Sequence, residues 1–317
     1  MSTDGAALGA RLRERDLSAA PATLNLLESS AAADREQSAR LLGELSPAAL
    51  GGEAPGHVIG VTGPPGAGKS TLLSALLREW RAQGRSVAIL AIDPSSRQSG
   101  GSLLGDRARI EFDPADRGVL IRSTAAGERL GGLASATRAA AHALATAFDV
   151  VVVETVGVGQ GETEIADVAD TVVVVVQPGS GDVLQFLKSG ITEIPDVLVV
   201  TKADLPAIAM RTMRDVSAAV RSLGSSSTPV LAVSSLSPTR GIGELIDALA
   251  EHHAGLDIPA RRLRARRAGA LTEFVAEHGE RGLRSVGGRR AAEALLDRQQ
   301  PDLEGPALLA VLERAIG

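Results

Sequence analysis

Residues 63–71 constrain the fold of this chain more than any other stretch. They read Gly63-Pro64-Pro65-Gly66-Ala67-Gly68-Lys69-Ser70-Thr71 and fit the phosphate-loop pattern Gly-x-x-x-x-Gly-Lys-Ser/Thr. A strand-like apolar stretch precedes the motif at 58–62, and a helical stretch follows it at 69–81. Glycine lets the backbone curl until several N–H groups point at one anion, and the helix N-terminus adds its positive end. The motif in this context predicts a nucleoside triphosphate site.

Each part of the loop has a predicted role. Lys69 would reach the β- and γ-phosphates, and Ser70 would place its hydroxyl on Mg²⁺. Thr71 and the helix behind it would hold the loop in place, while Pro64 and Pro65 would stiffen it. The alternative is a Gly/Pro-rich turn that matches the motif by chance, and the flanking strand and helix disfavour it.

Composition narrows the class of function. The 317 residues include four Phe, one Trp and no Tyr, which argues against aromatic platforms for single-stranded nucleic acid. A net charge of −5 disfavours a general binder of nucleic acid or anionic membranes, and the lack of Cys excludes thiolate metal sites and a Cys nucleophile. No apolar run approaches the roughly 18 residues that span a bilayer, and the N-terminus lacks a signal-type apolar block. We expect a cytoplasmic protein without nucleic-acid or membrane partners.

β-Branched runs alternate with helical stretches through the middle of the chain. This pattern predicts an α/β P-loop NTPase, a mostly parallel sheet covered by helices on both faces, with helical N- and C-terminal extensions. The predicted strands lie at 58–62, 87–92, 119–122, 150–153, 171–176, 197–200 and 230–233. The predicted helices lie at 69–81, 133–147, 183–189, 210–223 and 242–250. Three regions follow: a helical extension at 1–50, the P-loop domain at 51–255 and a helical region at 256–317.

Three shorter stretches lie near the boundaries of these regions. Ser46-Pro47 is predicted to end the N-terminal helices, and residues 51–56 read as a linker into the P-loop domain. The C-terminal region contains an arginine cluster whose members are Arg261, Arg262, Arg264, Arg266 and Arg267. Two interpretations of the cluster stay open: a solvated helix face, or a docking surface for a partner or second subunit.

Thr201-Lys202-Ala203-Asp204 follows a predicted strand and suggests a guanine pocket. The Asp204 carboxylate can accept hydrogen bonds from N1–H and N2–H₂ of guanine, whereas adenine offers neither donor on that edge. Lys202 would lay its aliphatic stem along the base. The usual GTPase pattern is Asn-Lys-x-Asp, and here Thr201 replaces the Asn. The hydroxyl of Thr201 can still make part of the bond that links the base pocket to the phosphate loop. Ser234-Ser235-Leu236, after the next strand, would support the base through a backbone amide. These residues predict GTP and GDP as the nucleotides.

Carboxylates at strand ends complete the predicted site. Asp93 and Glu154 lie where ligands bind to parallel sheets, and either can hold Mg²⁺, while the Gly157 amide can contact the γ-phosphate. A helix cap or turn is the alternative role for each acid. Three Gly-rich stretches, 98–107 with Asp106 as a further Mg²⁺ ligand, 157–162 and 178–182, are predicted switch loops. The predicted catalytic residues are Lys69, Asp93, Glu154 and Gly157, and the predicted metal ligands are Ser70, Asp93, Asp106 and Glu154.

Three segments resemble the methylmalonyl-CoA mutase-associated GTPases, which are chaperones of adenosylcobalamin-dependent acyl-CoA mutases. They are 93–96, 100–106 and 154–160, read as DPSS, GGSLLGD and ETVGVGQ. Some relatives carry an older label as arginine/ornithine transport kinases. The similarity runs from about residue 24 to about residue 250. It implies a signal-recognition-type GTPase core, a homodimer formed through 256–317, and GTP-gated loading or protection of the mutase cofactor. Lys188 would communicate with the partner.

The leading hypothesis is therefore a regulatory Mg²⁺-dependent GTPase whose slow hydrolysis is accelerated by a mutase. A GTPase metallochaperone for a nickel enzyme is the first alternative; the lack of Cys and the scatter of the five His along the chain argue against it. A P-loop small-molecule kinase is the second, and it would leave Asp204 and the switch loops unexplained. Arg107 is a candidate arginine finger that we do not adopt.

Overall fold

The β-branched runs form one sheet. The computed structural model describes residues 4–29, 31–93, 110–125, 135–155, 165–179, 195–222 and 228–316. Within these residues the sheet has seven strands. They are β1 His57–Thr62, β2 Val87–Asp93, β3 Val119–Ala125, β4 Val150–Thr155, β5 Thr171–Val176, β6 Val197–Val200 and β7 Val230–Ala232.

The described residues also contain eleven α-helices. They are α1 Gly5–Arg13, α2 Ala20–Glu28, α3 Ala32–Glu44, α4 Pro47–Leu50, α5 Lys69–Ala82, α6 Ser135–Ala147, α7 Pro206–Ser222, α8 Ile242–Ala254, α9 Ile258–Ser285, α10 Arg289–Asp297 and α11 Gly305–Arg314. Short 3₁₀ helices lie at Leu17–Ala19 and Ile165–Asp167. The helix predicted at 183–189 lies outside the described residues. No described helix is both long and apolar enough to cross a membrane.

The strand order is β3-β2-β4-β1-β5-β6-β7, and every neighbouring pair is parallel. The chain runs from β1 outward to β2 and β3, returns to β4 beside β1, and then continues on the other side with β5. β1 is therefore central, and the loop that leaves its carboxyl end opens between β4 and β5. Ligands of open α/β sheets bind at such a reversal of strand order.

Both faces of this sheet carry helices, as the buried β-branched runs predicted. α5 and α8 pack on the face that presents Ile59, Val152 and Val175, and Trp80 of α5 is buried in that core. α7 packs through Val216 and Val220 on the opposite face of β5 and β6. The α/β P-loop fold class is confirmed.

The chain consists of two compact units. One consists of the described parts of His57–Leu133 and Asp149–Leu256 and holds the sheet. The other consists of the described parts of Met1–Gly56, Ala134–Phe148 and Asp257–Gly317, so that both helical extensions and α6 belong to the same unit. The domain boundaries predicted at 50/51 and 255/256 stay predictions.

Aspartates begin the strands at the amino end of the sheet. Asp149, Asp170 and Asp196 directly precede β4, β5 and β6. Their carboxylates accept the N–H groups of Ser86, Val58 and Val172, at 2.8, 2.9 and 2.8 Å. Each aspartate thus accepts a backbone N–H group of a neighbouring segment that has no partner in the strand ladder. Buried backbone N–H groups need such a hydrogen-bond partner.

Three histidines meet at this same end of the sheet. His57 Nε2 lies 2.8 Å from Thr171 Oγ1, which lies 2.9 Å from His252 Nδ1, and the rings of His57 and His253 are 4.2 Å apart. Asp196 lies 3.1 Å from His252 Nε2. The five histidines are scattered along the sequence, but three of them meet in the fold, which their sequence separation did not indicate. Burial, together with a smaller contribution from the neighbouring His253, lowers the pKa of His57 to about 3.

Mild acid should therefore destabilise the sheet. An unfolded histidine binds a proton near pH 6.5, whereas folded His57 stays neutral down to about pH 3. The free energy of unfolding should fall between these values as pH falls, by up to about 1.4 kcal/mol per pH unit from this group. Urea denaturation at a series of pH values measures the dependence. His57→Gln should flatten it, and His278→Gln, at an exposed site, should not; an equal slope in wild type and His57→Gln would contradict the assignment.

The helical unit has its own apolar core. α9, α10 and α11 pack around Phe274, with Leu271, Leu296, Leu308 and Leu312 buried beside it. In the N-terminal part, α3 ends at Glu44, just before Ser46-Pro47, as predicted, but these two residues also begin the short helix α4. Ser46 caps α4, because its Oγ accepts the Ala49 N–H at 3.2 Å, and Pro47 occupies the first turn, where no N–H is needed.

Three members of the arginine cluster bind within this unit. Arg262 donates to the carbonyls of Ala54 and Gly56, at 2.5 and 2.7 Å. Arg266 makes a bidentate pair with Glu53, at 2.9 and 3.0 Å, and Arg267 pairs with Asp297 at 2.9 Å. The predicted linker at 51–56 is thus an anchored segment. Neither open interpretation of the cluster fits these three side chains, which hold residues 53–56 to the C-terminal helices.

Removal of Arg262 should destabilise the helical unit. Arg262→Ala leaves the two carbonyls without their charged donor, and a loss of about 2–4 kcal/mol is expected. A lower urea midpoint, followed by the helical circular-dichroism signal, measures this loss. Arg264→Ala is the matched control, because that side chain is exposed and its removal should change stability by less than about 0.5 kcal/mol. Equal midpoints for both variants would contradict the structural role of Arg262.

Candidate nucleotide-binding site

The phosphate loop connects β1 to α5 and depends on glycine at three points. Gly63, Gly66 and Gly68 have φ values of 149°, 77° and 91°, in the region that other residues rarely adopt. A Cβ on Gly63 would also lie 2.2 Å from the carbonyl oxygen of Val175 in β5. Gly68 is the residue before α5, so the loop delivers the chain directly into the helix N-terminus. The curl and the helix end together form a cradle that fits a phosphate group.

Lys69 is buried at the mouth of this cradle. Its ammonium group donates to the carbonyls of Gly63 and Pro64, at 2.7 and 3.3 Å. The positive charge therefore lies over the loop, where it can pair with phosphate oxygens. Ser70 is half-buried in the first turn of α5, and Thr71 is exposed. The sequence motif predicted these positions.

The predicted base segment is bonded to the phosphate loop. Thr201 is buried, and its hydroxyl lies 2.7 Å from the Ala67 carbonyl. Lys202 has a φ of 54°, and its ammonium group donates to Gln177 Oε1 at 3.0 Å. The Ala203 N–H donates to the Val233 carbonyl at 3.1 Å, which ties this turn to the end of β7. The structure thus brings the base segment and the phosphate loop together, and the bond from Thr201 confirms that its hydroxyl links them.

The segment after β7 is bonded to Asp204, the carboxylate that is predicted to read guanine. Ser234 is buried, and its hydroxyl donates to Asp204 Oδ1 at 3.3 Å. The Ser234 N–H donates to the Arg240 carbonyl at 3.0 Å, so a tip amide that contacts a base would belong to Ser235 or Leu236. The sequence analysis missed the role of the Ser234 hydroxyl. It also missed Gln177, although Gln177 directly follows β5, at an end where ligand-contacting residues are expected.

The carboxylates are described to different extents. Glu154 is buried near the end of β4, in register with Val61 of β1 and with Ala91 of β2. Asp93 ends β2, and its backbone alone is described. Asp106, Gly157 and Lys188 lie outside the described residues, as do the predicted switch loops at 98–107 and 157–162 and most of the third at 178–182. The metal and γ-phosphate roles of these residues stay predictions.

One further group could hold a metal ion. Among the described residues, Glu277, His278 and Glu313 are the three metal-capable side chains whose ligand atoms lie close together, and all three are exposed in the helical unit. Exposed carboxylates form such groups in many proteins without binding a metal. The group therefore gives no support to a nickel-handling function.

Comparisons with known proteins agree with this geometry. A family model described as methylmalonyl Co-A mutase-associated GTPase MeaB matches residues 3–284. A protein of Pyrococcus abyssi named as a GTPase is 42% identical over 265 residues, which cover 81% of this chain and 78% of that protein. A protein of Mycobacterium bovis, also named as a GTPase, is 39% identical over 252 residues, covering 77% and 74%.

Two more similarities extend the comparison. The mouse methylmalonic aciduria type A homolog, mitochondrial, is 42% identical over 147 residues, or 46% of this chain and 35% of that protein. Among solved structures, the LAO/AO transport system kinase matches with a TM-score of 0.65 and 24% identity, covering 100% of this chain and 99% of that one. At this identity the similarity of structure supports the fold alone.

The predicted role of Asp204 in reading guanine implies a change of base preference on mutation. Asp204→Asn replaces one carboxylate oxygen by an amide donor, which suits the 2-oxo group of xanthine and opposes the 2-amino group of guanine. We expect affinity for GTP to fall at least about tenfold and the preference to move toward XTP. Titration with GTP, XTP and ATP measures it. Asp215→Asn, on the exposed side of α7, is the control. Unchanged GTP selectivity in Asp204→Asn would mean that Asp204 does not read the base.

Proposed function

Because the chain belongs to the methylmalonyl Co-A mutase-associated GTPase MeaB family, we propose that it is a GTP-operated chaperone of an adenosylcobalamin-dependent acyl-CoA mutase. Methylmalonyl-CoA mutase is the enzyme that the family description names. The observation that carries the GTP part is the bond from Thr201 to Ala67, since it joins a base segment to a phosphate loop. A site built in this way responds to base and phosphate as one ligand.

GTP and GDP would be held by three segments of the sheet unit. The phosphates would lie in the loop at 63–71, with Lys69 beside the β- and γ-phosphates. The base would lie against residues 201–204 and the tip at 234–236. The cradle fits this ligand, because its glycines leave free the space that side chains would fill.

A Mg²⁺ ion is the usual companion of GTP in such sites. Ser70, Asp93 and Glu154 offer a hydroxyl and carboxylates, which are the hard oxygen donors that Mg²⁺ prefers, and Asp106 is the predicted fourth ligand. The ion supplies neutralisation of phosphate charge when it is bound. Glu154 lies in β4 in register with Val61 of β1, beside the strand that leads into the phosphate loop.

The proposed regulation separates GTP binding from hydrolysis. Phosphoryl transfer needs the attacking water and the charge on the γ-phosphate to be positioned together. We propose that Gly157 senses the γ-phosphate and that the chain alone hydrolyses GTP slowly. The mutase would accelerate the reaction by ordering the loops, with Lys188 on the contact side. GTP would thus gate the loading or protection of the mutase cofactor.

Two further proposals concern assembly and location. The chain would form a homodimer through 256–317. Arg262, Arg266 and Arg267 would not form that interface, because they bind residues of their own unit. The protein would act in the cytoplasm. No observation favours the nickel metallochaperone or the small-molecule kinase as a second function.

Copurification tests the proposed partner. The tagged chain, isolated from its native cell with GTP or GDP, should retain an adenosylcobalamin-dependent mutase. Addition of that purified mutase should raise the GTP hydrolysis rate at least about tenfold, because a partner that completes the charge and water positions lowers the barrier. Lys69→Ala should show no rise, whereas Asp215→Asn should behave as wild type. Retention of a nickel enzyme, with no mutase-dependent rise in rate, would reject the proposal.

A further inference from the structure

The hydroxyl of Thr201 has a single proton, which it donates in a hydrogen bond to a backbone carbonyl. Two carbonyl oxygens lie within reach, that of Ala67 at 2.7 Å and that of Val176 at 3.2 Å. The Val176 carbonyl already accepts the Thr201 N–H at 3.0 Å. The shorter bond, to Ala67, is therefore the one that the hydroxyl proton makes. A hydroxyl whose proton is used has only acceptor lone pairs left for another group.

Thr201 also lies directly against the phosphate loop. A Cβ built on Gly68 would have the Cγ2, Oγ1 and Cβ atoms of Thr201 as its nearest neighbours, at 3.7 to 3.8 Å. The side chain is 3% exposed, so that its hydroxyl does not rotate into solvent without breaking a buried bond. Its donor is thus fixed on the loop by packing as well as by hydrogen bonding.

The position of Thr201 determines which edge of a purine it faces. In the proposed site, Asp204 takes the N1 and N2 edge of guanine, and the phosphates lie in the loop beside Ala67 and Gly68. The imidazole ring of a purine, which carries the acceptor N7, lies on the opposite side of the base from N2. That side faces the junction of loop and base segment, where Thr201 is. A threonine already bonded to Ala67 has no proton to give to N7.

We propose that Thr201 is a positioning residue that fastens the base segment to the phosphate loop and leaves guanine N7 without a hydrogen-bond donor. The base segment at 201–204 then reads guanine through its N1 and N2 edge and makes no bond to N7. The site accepts 7-deazaguanine nucleotides, in which a C–H group replaces N7, as well as it accepts GTP and GDP. This inference rests on the proposed GTP function, and it concerns the specificity of that site.

Binding of GDP and 7-deaza-GDP to the full chain tests the inference. The wild-type dissociation constants should agree within about threefold, because no bond to N7 is lost. Thr201→Asn brings an amide with two protons, one for Ala67 and one for N7, and should prefer GDP by at least about fivefold. A wild-type preference for GDP of about tenfold or more would overturn the inference. This measurement uses the wild-type chain alone, so it does not depend on whether a variant folds.

The fastening role has its own variants. Thr201→Val keeps the shape of the side chain and removes the proton, so it should weaken GDP and 7-deaza-GDP equally, by about tenfold. Thr201→Ser restores the hydroxyl and should restore both affinities, which a role in packing alone would not predict. Unchanged affinity in a folded Thr201→Val would overturn the fastening role. ADP is the control for the proposed function: equal affinity for ADP and GDP would reject the GTP site itself, whereas discrimination against 7-deaza-GDP would reject only the inference.

Discussion

The close approach of the phosphate loop to β5 is the contact on which the candidate site depends. A side chain at Gly63 would collide with the carbonyl of Val175, so the loop leaves β1 pressed against the neighbouring strand. Thr201, directly after β6, then donates its hydroxyl to the Ala67 carbonyl in the next turn of the same loop. Both contacts involve backbone carbonyls, so they fix the path of the chain, and the second also depends on the Thr201 side chain. The pairing of β1, β5 and β6 therefore sets the geometry of the site.

The two ends of the sheet use polar groups differently. At the amino end, aspartates and histidines bind one another and the first N–H groups of the strands, and His57 is held neutral there by burial. At the carboxyl end, Lys69 donates to carbonyls of the glycine loop, and Asp204 accepts the Ser234 hydroxyl. Polar groups at the amino end thus bind within the fold, whereas those at the carboxyl end lie where the proposed nucleotide would bind. This division agrees with ligand binding at the carboxyl ends of parallel strands.

The strands were predictable because β-branched runs buried on both faces leave little ambiguity; β5 and β6 lie at their predicted residues. The phosphate loop was predictable because a short local spacing specifies it. What failed were contacts between distant residues, such as His57 with His253 and Arg262 with Ala54, which local periodicity does not encode. One missed feature did leave a local signal: an aspartate precedes each of three β-branched runs, at Asp149, Asp170 and Asp196.

In the proposed site, guanine reading would depend on the last strand of the sheet as much as on the residues that face the base. Asp204 is held by Ser234, and Ser234 is fixed in turn by a pair of backbone bonds with Arg240. The turn after β7 therefore fixes the position of Asp204, whereas the phosphate loop fixes the position of Thr201, three residues earlier. The short segment from Thr201 to Asp204 is thus bonded at one end to the phosphate loop and at the other end to the turn after β7. A base that fits against Asp204 only when the loop holds phosphate would couple nucleotide identity to phosphate number, which is the property that a GTP-operated switch requires.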